Sequence, residues 1–147
     1  MNKPHVLVLS PHVGIAEGLV RLLMLEGRYE VRRAASPLEE PTDWHADVVL
    51  VDGSLLRNGL GVLSLPAPAL VLSGTREDAE ALLARVPTAK GWLRKDPTYP
   101  ELERALASIG ITTSAAAVRP RVSLAAILAF AVAFVGVVIA VLWLLFK

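Results

Sequence analysis

Few residues in this chain are of a type and in a setting that could carry chemistry. The clearest is Asp52, which closes the apolar run Asp47-Val-Val-Leu-Val-Asp52. An aspartate at the end of a buried run either bonds the N–H groups of the following loop or meets a cation. Lys95, following Gly91-Trp92-Leu-Arg, is one cation it could meet. Lys95 and Asp96 read equally well as an exposed pair at a strand end. Ser10 and Ser73 each end another short apolar run. His5, His12 and His45 are scattered without metal-ligand spacing, so solvated or capping histidines are expected and no metal site is. The chain has no cysteine, which excludes disulfides, thiolate zinc sites and cysteine nucleophiles. No Ser-His-Asp constellation, glycine-rich phosphate loop or catalytic carboxylate pair can be assembled, so an enzyme is not expected.

The elements that would position these groups alternate. Residues 5–9, 29–34, 47–52, 69–73 and 89–93 read as strands, the second lying at an edge because Val31 is its only large aliphatic and arginines follow it. Residues 15–25, 76–85 and 100–109 read as helices. Residues 36–45 allow at most a short helix, and the glycine- and proline-rich stretch 53–68 reads as loop with one helical turn. Strand–helix alternation of this kind predicts an α/β, flavodoxin-like doubly wound parallel sheet of five strands. Ligands of such sheets sit at the carboxyl ends of the strands, here residues 10–12, 52–55, 73–75 and 94–96.

Composition adds a second part. Hydrophobic residues make up 54% of the 147 residues and mean hydropathy is +0.52, both high for a soluble domain. The excess is concentrated in residues 124–146, which contain no charged or strongly polar side chain. A helix of that length spans about 34 Å, enough for a bilayer core of about 30 Å. Arg119 and Arg121 flank it on the N-terminal side and Trp143 sits near the other end, so the positive-inside rule places the N-terminal domain in the cytoplasm. The expected organisation is a domain over residues 1–110, a linker over 111–122 and a single-pass anchor of the cytoplasmic membrane over 123–147. Ala125, Ala129, Ala133, Gly136 and Ala140 line one face of that helix and would let a second copy pack closely. Residues 1–112 carry twelve Lys/Arg against fourteen Asp/Glu, a poor balance for nucleic-acid binding.

Over about residues 4–109 the chain resembles the receiver domains of two-component response regulators, most closely the branch that usually carries helix-turn-helix output domains. The likeness rests on Val6-Leu-Val-Leu-Ser10-Pro11-His12, on the run ending at Asp52, on Asn58-Gly-Leu-Gly-Val-Leu63, on Leu70-Val-Leu-Ser73-Gly74 and on Lys90-Gly91-Trp92-Leu-Arg-Lys95-Asp96. The resemblance implies that Asp52 is the phosphoacceptor position and Lys95 the phosphate-pairing lysine. It implies likewise that Ser73 is the switch hydroxyl, Trp92 the coupled aromatic and the Ser54 carbonyl a magnesium ligand. The family's acid pair is absent, its positions being Ser10 and Pro11. The third helix is shortened, and Trp92 is bulkier than the usual tyrosine or phenylalanine. The chain therefore resembles a degenerate receiver, implying no resident cofactor, a protein partner and signalling through residues 75–85 and 92–99. The alternative is a phosphoacceptor that uses Asp52 with magnesium.

Overall fold

The computed structural model describes residues 3–39, 43–57 and 61–111. Five strands form one parallel sheet: β1 His5–Leu9, β2 Glu30–Ala34, β3 Val48–Asp52, β4 Ala69–Ser73 and β5 Ala89–Arg94. Their order is β2-β1-β3-β4-β5, the flavodoxin-like arrangement, with β2 at an edge as its charges require. β3 and β4 are buried at every position, which is why they read as unbroken apolar runs.

Helices α1 Val13–Met24 and α4 Tyr99–Ser108 cover one face. α1 turns Ala16, Leu19 and Leu23 inward, and α4 contributes Leu102 and Leu106. Both pack on Val6, Val8, Val48, Leu50, Leu70 and Leu72 of the sheet. α1 ends in a turn at Gly27, whose φ of 61° suits glycine and whose N–H bonds the Met24 carbonyl at 3.0 Å. α4 begins one residue before the proline that was expected to open it, because Glu101 reaches back to accept the Thr98 N–H at 2.8 Å.

The other face is covered differently. α3 Arg76–Leu83 supplies Ala79 and Leu82, and its N-cap Thr75 accepts the Asp78 N–H at 3.3 Å. The short α2 Gly53–Arg57 supplies Leu56. Between β2 and β3 only a 3-10 turn, Pro37–Glu39, forms among the described residues. Trp44, Leu63, Leu65 and Ala67, all outside regular elements, complete the cover over Leu7, Leu9, Val49 and Val51.

Among the described residues no helix is long and apolar enough to cross a membrane. The expected anchor, its flanking Arg119 and Arg121, and the small-residue stripe of Ala125, Ala129, Ala133, Gly136 and Ala140 lie outside the described residues, as does most of the linker. Asn58, Gly59 and Leu60 of the family-like third-helix motif lie outside them too.

Candidate functional site at the carboxyl edge of the sheet

β1, β3, β4 and β5 deliver Ser10, Asp52, Ser73 and Lys95 to the same edge of the sheet, since all four strands run in one direction. The edge includes the β1/β3 junction, where the order of the sheet reverses and α/β sheets bind ligands. Asp52 is completely buried. The Lys95 ammonium lies 2.7 Å from its Oδ1, and the Ser54 N–H donates to that same oxygen at 2.9 Å. The Ser10 hydroxyl donates to Oδ2 at 2.7 Å and accepts the His12 N–H at 3.1 Å. Ser10 is itself held by its N–H, which bonds the Ala34 carbonyl of β2 at 3.0 Å.

These contacts set the charge of Asp52. Burial pushes its carboxyl up, but the Lys95 ammonium, the Ser54 N–H and the Ser10 hydroxyl together hold it below the ordinary carboxylate value. Asp52 is therefore an ionised, fully partnered carboxylate. The residue immediately after it, Gly53, has little room for a side chain. A Cβ at Gly53 would lie 2.5 Å from Leu82 Cδ1 and 3.0 Å from the Leu72 carbonyl oxygen.

The reading of Lys95 and Asp96 as an exposed pair is corrected in part. Lys95 turns inward to Asp52, while Asp96 pairs at the surface with Arg94 at 3.2 Å. Both expected contacts of Asp52, loop N–H and lysine, are made together. The Ser73 hydroxyl is fully buried and has no hydrogen-bond partner among the described residues. Trp92 is half-buried and packs into the α3-side core. Pro11 is exposed, and His12 is the exposed N-cap of α1 without a side-chain cap bond.

His5 departs from the expectation of a solvated or capping side chain. Its ring stacks on Trp44 with centroids 4.9 Å apart, and its Nδ1 lies 2.8 Å from the His45 carbonyl oxygen. Trp44 donates from Nε1 to Glu30 at 2.9 Å, and the Arg32 guanidinium covers its ring at 5.2 Å. This aromatic knot belongs to the amino ends of β1 and β2, away from Asp52. The sequence reading did not single out Trp44. Its signal was a tryptophan just ahead of a buried strand, with a carboxylate and an arginine on the neighbouring strand.

The donor set does not suit a divalent cation. Asp52 is the one carboxylate of the cluster described above, one of its oxygens already faces an ammonium, and Ser10 and Pro11 supply no charge. Magnesium sheds its waters reluctantly and needs charged oxygens to compensate. Among the described residues no group of three or more His, Asp or Glu side chains comes together as a metal site.

No protein-family model matches the chain, and no curated protein matches it by sequence. Solved structures do match. The chain is similar to a CheY-like response regulator receiver domain from Methylobacillus flagellatus at 18% identity and a TM-score of 0.55, over 74% of this chain and 99% of that one. It is similar to a CheY-like response regulator from Mesorhizobium loti at 20% identity and 0.55, over 72% and 98%. A response regulator receiver protein from Burkholderia phymatum matches at 22% identity and 0.53, over 76% and 99%. The fold is that of a receiver domain. At such identities the likeness extends to the fold alone.

Proposed function

We propose that the chain is a membrane-tethered, receiver-like module that works in signalling through protein contacts and not through metal-dependent phosphorylation. One observation carries this reading: both oxygens of Asp52 are engaged by protein donors, and the neighbouring positions are Ser10 and Pro11. A phosphoryl acceptor needs a carboxylate oxygen free to attack and cations to neutralise the oxygens of the entering group. Among the described residues Lys95 is the one cation in contact with Asp52. The module has no resident cofactor and no catalytic turnover. Its partner surface is residues 75–85 with residues 92–99. Residues 124–146 anchor it in the cytoplasmic membrane with the receiver-like domain in the cytoplasm, and Ala125, Ala129, Ala133, Gly136 and Ala140 are the contact stripe between two anchors.

The second reading is an atypical phosphoacceptor in a membrane phosphorelay. It is favoured by the Lys95–Asp52 contact and by the Ser73 hydroxyl on the adjacent strand, which has no partner among the described residues. The two part on one experiment. The full chain is incubated with acetyl phosphate with and without millimolar magnesium, and covalent phosphate is measured by mass spectrometry. No labelling is expected. Stoichiometric, magnesium-dependent labelling that disappears in Asp52→Asn overturns the first reading and establishes the second.

A further inference from the structure

We infer that Ser10 is a metal-free latch, a hydroxyl that ties the carboxyl ends of β1 and β3 together at this edge. The inference deepens the reading of a module without metal-dependent phosphorylation, and rests on it only for what the latch is for. Its geometry stands independently. One hydroxyl makes two bonds in opposite senses: it donates to Asp52 Oδ2 at 2.7 Å and accepts the His12 N–H at 3.1 Å. A hydroxyl has one proton, and the short contact to the carboxylate takes it, leaving the lone pairs for the amide. The His12 carbonyl, at 3.4 Å, is the poorer acceptor.

This arrangement joins the end of β1 to the end of β3 and, through the other carboxylate oxygen, to Lys95 beyond β5. It also holds the turn into α1 by the amide of its N-cap residue, which has no side-chain cap of its own. A carboxylate at position 10 could still accept the His12 N–H, but without a cation it could not serve Asp52, which it would face with like charge and no proton to give. Serine resolves both at once. It neutralises nothing, but it satisfies Oδ2 and carries the turn. Three strand ends are thus closed in one state whose maintenance requires no ion.

The test follows amide hydrogen exchange by mass spectrometry on the full chain in lipid nanodiscs, resolving residues 10–16. Ser10→Ala should speed exchange in this segment by about tenfold, the factor that one lost hydrogen bond of ordinary net worth sets. The segment from Glu30 to Ala34 should stay as in the wild type. Lys95→Gln removes the other arm and leaves Ser10 on Asp52, so residues 10–16 should keep their protection. Millimolar magnesium should change none of these patterns. Wild-type protection of residues 10–16 in Ser10→Ala overturns the latch, as does a rise in wild-type protection on adding magnesium. Labelling of the wild type by acetyl phosphate together with loss of protection in Ser10→Ala would sink the proposed function while leaving the latch standing.

Discussion

The two faces of the sheet are covered by different means. On one face α1 and α4 lay down Ala16, Leu19, Leu23, Leu102 and Leu106 at helical spacing. On the other, α3 and a five-residue α2 are supplemented by Trp44, Leu63, Leu65 and Ala67 from segments without regular structure. Both faces nevertheless keep the central strands dry: Val49 and Val51 are as inaccessible as Val48 and Leu50. This sheet therefore draws part of its cover from described residues that lie outside any helix. It needs apolar volume delivered to the right place, and a tryptophan held by stacking and hydrogen bonds can deliver it.

The sharpest way to break that equivalence is to remove the irregular cover. Trp44→Ala should destabilise the full chain by about 3–5 kcal/mol, the range for deleting a buried aromatic. Leu19→Ala on the helical face should cost about 2–5 kcal/mol, the range for a buried leucine. Urea unfolding followed by far-UV circular dichroism, which does not depend on the deleted indole, measures both. A cost below about 1 kcal/mol for Trp44→Ala would mean that the loop merely lies on the sheet, the size expected of a surface substitution.

The carboxyl edge, where the strands leave both faces, gives the next largest effect. The Asp52 carboxyl lies below its ordinary value when folded, because Lys95, Ser54 and Ser10 outweigh the opposing effect of burial. In the unfolded chain it returns to the ordinary range, so the unfolded state binds more protons between the two values and stability rises with pH there. The contribution is fully present above the unfolded value, near pH 4, and is lost as pH falls through the depressed folded value. Stability measured from pH 6 down to pH 2 should fall more steeply in the wild type than in Asp52→Asn. Parallel curves would show that Asp52 adds no such linkage.

The regular face was legible in the sequence and the irregular one was not, for physical reasons. Uninterrupted runs such as residues 47–52 and 69–73 have few alternatives to a buried parallel strand. Leu19 and Leu23 advertise a helix face by their spacing. Trp44 has no such periodicity, since its burial depends on His5 and Arg32, partners distant in sequence. Residues 62–67 did carry a signal, because Leu63, Leu65 and Ala67 are buried while Val62, Ser64 and Pro66 are exposed. Prolines at 66 and 68 masked that period of two, as they argue against a strand. At the edge, Asp52, Lys95 and Ser73 were readable from their places at strand ends. Ser10 was legible as a missing acid but not as a donor to Asp52, which requires the separation of β1 and β3 to be known.

The smallest effect tests whether the helical face is still improvable where the irregular one is not. Gly14 and Gly18 lie inside α1, and a Cβ built at either meets nothing within 4 Å. Neither has a positive φ. Both border a groove of about 350 Å³ with Ile15, Leu22 and the loop residues Lys95, Asp96 and Pro97. Glycine in a helix interior costs conformational entropy that alanine does not, so Gly18→Ala should stabilise the chain by about 0.5–1 kcal/mol. Gly53 is the opposite case, with Leu82 and the Leu72 carbonyl in the way, and Gly53→Ala should destabilise. A shift in the urea midpoint with an unchanged slope identifies either as a change in stability alone. If Gly18→Ala is instead destabilising, the entropic gain expected at this helix position is refuted.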